Sequence, residues 1–484
     1  FLFVDKTQTN SVPGLGQKIR VVGIDHRKEV EVDADFDVAE IDPPLLVRVD
    51  AAEAVQRAKS IVRRREGRPD LEFYQLIDSA ATSLASGIRP DPHLSGVCKS
   101  CEFYCPAAER TQEHRSGWAE CMEARFGPVI DRPREESIFG FYEKSPIEKH
   151  LEVGHLWMSE LDEDDLEVKP GNGSISRSER QSLQWLEVKH GNTALEIFRE
   201  PVAEAMSHWR FPLHFIDFET AAPALPFHAG LRPYQHILFQ FSHHVIDAGG
   251  RVRHANEALV VDGTEPPSIE VVRRLRDAIG QDEGTVFHWY EHERTVLRSV
   301  YEEIDATGPQ DSASLKEFLE SLGIEKGAVG RMFDLGRLVS RCVFLPGTGG
   351  SSSMKRFLPA TLRLSKAVRT RYAEPIYGTS EIPSLNFAAK TWVIEDEKGP
   401  LDPYRLLAPI FTDSDVRHAL EELQRTKGDH IANGAAAMIA YSTLQDPNVP
   451  ESYKAMLKVQ LKRYCELDTL AMVMVYEALR EWVQ

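Results

Sequence analysis

Asp217 and Glu219 stand two positions apart in the apolar run HFIDFET, residues 214–220. Side chains alternate along a strand, so both carboxylates project from one face. An unpaired carboxylate turned into a dry core is costly, and two fixed oxygen ligands suit a hard divalent cation such as Mg²⁺ or Mn²⁺. A second acidic motif, Tyr464-Cys-Glu-Leu-Asp468, lies some 250 residues on. Tyr464 and Asp468 are four apart, which places them a turn apart on one helix face. Between the two motifs, VFHWYEHERTVL at 286–297 reads as a strand running into a helix start, with Glu293 in its first turn. The plain structural alternative for Glu293 is an acid favoured near a helix N-terminus.

Those residues need elements to hold them. Residues 452–483 contain no Gly or Pro, and Leu457, Leu461, Leu467, Leu470, Val473, Met474 and Ala478 recur at helical spacing, which predicts one long helix. Around the Asp217 strand the pattern predicts strands at 237–246 and 254–261, a helix at 268–278, a strand at 286–290, helices at 293–306 and 314–322, and a strand near Met332. Three meandering strands followed by alternating helix and strand predict an α/β domain, a mixed sheet with helices on both faces.

The order D-x-E on a strand, then Y-x-x-x-D on the C-terminal helix, resembles the tyrosine-type branch of the DEDD exonuclease superfamily, whose fold is RNase H-like. In the register of the middle motif of that superfamily, H-N-x-x-F-D-x-x-x-L, His288 and Leu297 match, His292 takes the aromatic position and Glu293 replaces Asp. Together with Asp334, the segment GSSSMKRFLP at 350–359 and Asn433-Gly434, the stretch 206–484 resembles an uncharacterised bacterial family that pairs a RecB-like nuclease region with a DEDD exonuclease-like domain. The resemblance implies a 3′–5′ exonuclease that hydrolyses phosphodiester bonds, DNA in preference to RNA, by a two-metal mechanism with Mg²⁺ or Mn²⁺. It implies metal ligands at Asp217, Glu219 and Asp468 with Glu293 assisting, a water-orienting Tyr464, and phosphate contacts at Lys355 and Arg356. Asp334 is expected as an outer ligand or as a strand-end cap. The alternative is a catalytically weakened nucleic-acid-binding or assembly scaffold, with the main nuclease in a RecB-like region ahead of residue 1. DNA repair and anti-phage defence are the roles this company implies.

Cys98, Cys101, Cys105 and Cys121 fall within 24 residues. That spacing suits a thiolate site for Zn²⁺ or an iron–sulfur cluster, the latter being what the RecB-like resemblance implies, with Cys105 spare. Cys342 and Cys465 read as buried thiols, Cys465 facing away from Tyr464. The expected organisation is a partial RecB-like α/β region at 1–94, the cysteine segment at 95–125, a connector at 126–205 and the exonuclease-like domain at 206–484. Within the connector, an acidic and Gly/Ser-rich loop precedes a helix at about 179–207. The chain opens on Phe1 inside an apolar stretch, which predicts further chain ahead of it.

A net charge of −18 argues against a protein that coats nucleic acid, so phosphate contacts must come from local patches. Those patches are Arg63–Arg65 with Arg68, Lys355-Arg356, and the run Arg363, Lys366, Arg369 and Arg371. No run approaches 18 apolar residues, so no membrane span is expected, and the setting is expected to be cytoplasmic. A protein partner or self-association is left open by the sequence.

Overall fold

Alternation along one strand sorts the C-terminal region into two layers. In β1, Leu213–Ala221, residues Leu213 and Phe215 face one apolar cluster while Ile216 and Phe218 face another. The computed structural model describes residues 2–484 except 25–26, 43, 61, 64–70, 90, 113, 130–131, 144, 264, 326, 398, 413–415, 418–419 and 421–428. β1 pairs antiparallel with β2 (Ile237–Ile246), which pairs antiparallel with β3 (Val252–Leu259). On its other side β1 runs parallel to β4 (Val286–His288), and β4 parallel to β5 (Met332–Asp334). The five-stranded order is therefore β3-β2-β1-β4-β5, with β2 alone reversed.

Helices α1 (Ser268–Ile279), α2 (His292–Thr307) and α3 (Ser312–Leu322) pack on the Ile216 face through Val271, Leu275, Val296, Val300 and Leu319. The Phe215 face is covered by α4 (Leu335–Cys342), α5 (Met354–Leu364), α6 (Lys366–Ala373) and the C-terminal α8 (Glu451–Trp482). Helix α7 (Asp429–Gln445) lies against the far end of β1 through Ala440 and Tyr441. The mixed sheet with helices on both faces is as the sequence pattern predicts. β4 is shorter than expected because Tyr290 adopts φ 67° and turns the chain into α2.

Upstream, 94–185 closes around its own core of Trp118, Met122, Phe139, Phe141 and Trp185. The single helix expected at about 179–207 is two, Arg177–His190 and Arg199–Ser207. Gly191 separates them at φ 64°, a left-handed cap that ends the first helix. Its Arg180 is buried and donates to the carbonyls of Ser340, Val343 and Gly350 at 2.5, 3.0 and 3.3 Å. The glycine-serine loop before Lys355 is therefore held against that helix rather than presented outward. Gly350 sits at φ 72°, where a Cβ would meet Gln184 at 3.0 Å.

The first 90 residues contribute short hairpins and the helices Ala52–Lys59 and Phe73–Ser86, neither with a buried residue. They meet the C-terminal region through Asn10, whose side chain donates to Val12 and His228 carbonyls. Among the described residues no helix is long and apolar enough to cross a membrane. Of the basic patches, Arg64, Arg65 and Arg68 lie outside the described residues, as do the side chains of Arg63 and, elsewhere, Asn433.

Candidate metal centre

β1 delivers Asp217 and Glu219 to the face that α8 crosses, and α8 delivers Asp468. One ligand oxygen from each lies within 4.8 Å of the others. The spacing read from the sequence thus brings together two motifs 249 residues apart (468 − 219). The pairing with β2 shifts register directly after Glu219, where Phe239 of β2 is the extra residue.

Crowding and burial shape the acids. Burial, then Asp468, Glu293 and Glu219, push Asp217 well above the ordinary carboxylate range. Glu219 is raised to about 8, by burial first and Asp468 next, with Lys355 opposing. Asp468 rises to about 6 through burial, although the Tyr404 hydroxyl and Lys355 pull it down. Glu293, 3% exposed at the start of α2, lies near enough for its charge to act on all three. Its Oε2 has no hydrogen-bond partner and stands 3.7 Å from His288 Nδ1. Glu291 is exposed at the helix cap and takes no part. Asp334 is a cap, accepting from the backbone N–H of Arg337 at 2.7 Å and of Tyr290 at 3.0 Å.

Aromatic and basic groups close one side. The Tyr404 hydroxyl donates to Asp468 Oδ1, and the rings of Tyr404 and Tyr464 lie 5.6 Å apart. Lys355 Nζ sits 5.1 Å from the Tyr464 ring centre and 5.7 Å from that of Tyr404. Arg356, its neighbour, is exposed. In the other basic run, Arg371 pairs with Glu477 and Arg369 approaches Glu395 at 3.9 Å, so part of that charge is used within the fold. Cys465 is buried as expected, yet it faces the site: its thiol donates to Asp217 Oδ2 at 3.4 Å. Burial and the adjacent Asp217 hold that thiol well above its usual pKa, so it stays a donor.

Helix α8 is fixed to the sheet by a ring of polar groups. His254 Nε2 meets Ser242 Oγ at 3.0 Å, which meets Thr469 Oγ1 at 2.8 Å, which meets His244 Nδ1 at 2.8 Å. His244 Nε2 meets the Tyr377 hydroxyl at 2.9 Å, that hydroxyl donates to Glu466 Oε1, and Glu466 Oε2 returns to within 3.2 Å of His254 Nδ1. Glu466 also accepts from Ser384 and, at 2.7 Å, from Asn386. Burial opposes its charge, but the contacts from His254, Ser384 and Tyr377 prevail and keep its pKa low. Glu466→Ala strands these donors and is expected to cost about 3 kcal/mol or more in urea unfolding. A loss under about 1 kcal/mol would contradict the anchoring role.

His254, Glu257 and Glu466 form the second group with three ligand atoms within 4.8 Å. Their oxygens already accept from Tyr377, Ser384, Asn386 and Lys462, so the Asp217 group is the better metal centre. The four cysteines expected to hold a metal are free thiols, and among the described residues no three of them bring ligand atoms within 4.8 Å of one another, although Cys101 and Cys121 lie near enough for their charge to act on Cys98. Cys98 and Cys101 lean on the Trp118 core, while the Cys105 thiol turns to the Pro106 carbonyl at 3.7 Å.

A family described as "Domain of unknown function (DUF2779)" matches residues 214–353. That span holds Asp217, Glu219, Glu293 and the loop before Lys355, and stops before Tyr404, Tyr464 and Asp468. No curated protein and no solved structure matches the chain.

Proposed function

We propose that this protein is a metal-dependent nuclease that trims a nucleic-acid strand from its 3′ end, DNA in preference to RNA, on an RNase H-like domain of the DEDD tyrosine type. The observation that carries this reading is the convergence of Asp217, Glu219 and Asp468 within 4.8 Å. The strand order, with only β2 reversed, supports it. So does the buried Oε2 of Glu293, which accepts no hydrogen bond and has His288 Nδ1 no nearer than 3.7 Å, because a buried carboxylate oxygen without a hydrogen bond fits a cation.

Asp217, Glu219 and Asp468 would hold Mg²⁺ or Mn²⁺, with Glu293 reached directly or through water. Two such ions, when bound, would supply an activated water and charge stabilisation for the leaving 3′ oxygen. Tyr404 orients the Asp468 carboxylate through its hydroxyl, which burial keeps protonated. Tyr464 orients the attacking water rather than deprotonating it, since an ordinary phenol has a pKa of about 10. Lys355, packed against both tyrosine rings, contacts the phosphate, with Arg356 outside it. Tyr464→Phe is expected to slow trimming about 10²-fold while the Mn²⁺-induced rise in melting temperature persists. Loss of that thermal shift would instead make Tyr464 part of the metal's support.

The reading is tested with 3′- and 5′-labelled single-stranded DNA and RNA in Mg²⁺, Mn²⁺ or EDTA. The expected result is a ladder of 5′-labelled products shortening from the 3′ end, lost in EDTA. Intact strands in both metals, or cleavage that survives EDTA, would overturn it.

A further inference from the structure

Segment 385–390, the turn at 406–408 and Arg463 of α8 enclose a cleft of about 520 Å³. Leu385, Phe387, Leu406 and Leu407 form its apolar walls, and Lys390 and Arg463 are its cations. Neither cation has a carboxylate in ion-pair range among the described residues, and the charge that acts on Lys390 is Arg463 itself. Burial and that like charge hold the Lys390 ammonium below the usual lysine range.

Both are nevertheless held in place. Lys390 Nζ donates to the Leu406 carbonyl at 3.3 Å, Arg463 Nε to the Asn386 carbonyl at 3.3 Å, and the guanidinium lies 5.5 Å from the Phe387 ring. Each cation has further N–H donors beyond these bonds. Two like charges kept together without an acid are unfavourable until an anion arrives. The cleft shares its chain segments with the metal centre. Arg463 precedes Tyr464, and Leu406 lies two residues after Tyr404, the donor to Asp468.

We infer that this cleft is a strand-binding subsite. Lys390 and Arg463 take a backbone phosphate one nucleotide or more from the reacting bond, and the apolar walls take the sugar or base. The inference rests on the nuclease reading for its placement beside the reacting bond. It assigns Lys390 and Arg463 a role in gripping the strand rather than in the chemistry.

The test is binding of a fluorescein-labelled single-stranded DNA of about ten nucleotides to the full chain, with Ca²⁺ in place of Mg²⁺, across a salt series. Lys390→Ala with Arg463→Ala is expected to weaken binding about tenfold or more. It should also flatten the log–log salt slope by about 1.4, two lost contacts at about 0.7 each. Lys390→Arg with Arg463→Lys keeps both charges and should retain affinity, which excludes a folding artefact. Unchanged affinity and slope in the double alanine variant, or no strand binding by the wild type, would overturn the subsite. Trimming in Mg²⁺, read in parallel, separates the two ideas. A wild type that binds the strand without shortening it defeats the nuclease reading, while the affinity loss in the variant still supports the cleft.

Discussion

Asp217→Ala is expected to lower metal-dependent trimming by roughly 10³-fold or more. Asp217 is the hub of the site, since Asp468, Glu293 and Glu219 all act on its carboxylate. Its removal takes away the group that links the strand acids to the helix acid. The folded state should survive. The change leaves the Cys465 thiol without its 3.4 Å acceptor, at about 1 kcal/mol, but it also relieves repulsion among the remaining acids. Asp334→Ala is the contrasting control. It deprives two backbone N–H groups of their acceptor and should cost about 1 kcal/mol in urea unfolding, with trimming within a few-fold of wild type. Trimming by the Asp217 variant within tenfold of wild type would remove the acid cluster from the mechanism.

Asp468→Asn is expected to act in opposite directions with and without metal. In the metal-free protein Glu219 is raised to about 8 and Asp468 to about 6, both foremost by burial. A carboxyl raised in the folded state binds more protons there than in the unfolded chain, so stability falls as pH climbs from the ordinary value to the raised one. The metal-free wild type should therefore melt at progressively lower temperature between about pH 5 and pH 8. The amide removes one charge from the cluster while its oxygen can still accept from Tyr404. It should stabilise the metal-free protein at pH 7.5 by on the order of 2 kcal/mol and flatten the pH trend. In millimolar Mn²⁺ the order reverses, because the wild type gains binding energy that the variant lacks. Differential scanning fluorimetry across pH, with EDTA or Mn²⁺, checks both halves. A wild type whose melting temperature rises with pH in EDTA would contradict the crowding.

Local rules carried much of this. Strand alternation alone puts Asp217 and Glu219 on one face, and four-residue spacing puts Tyr464 beside Asp468. The long C-terminal helix follows from apolar periodicity, and it is observed at Glu451–Trp482. Cys465 was within reach of the same reasoning, since it lies three residues, about one turn, before Asp468. Tyr404 was not. It sits in a short 3₁₀ turn, Pro403–Leu406, with no periodic pattern, and reaches Asp468 across 64 residues of chain. The packed state of the glycine-serine loop depends on Arg180, some 170 residues earlier, and no local pattern announces that pairing. In the cysteine segment, thiol spacing says which ligands are available. The apolar core around Trp118 sets where they point.

The polar ring between α8 and the sheet bears on how this sequence can diverge. Thr469 and Glu466 engage β2, β3 and Tyr377 on one side of the helix, while Cys465 and Asp468 serve the acids on another. A single inserted or deleted residue between 465 and 469 would turn the residues before it about 100° against those after it, splitting the anchor pair, the site pair or both. Length changes should therefore gather in the irregular stretches flanking Tyr404, and residues 464–469 should align without gaps in any working relative.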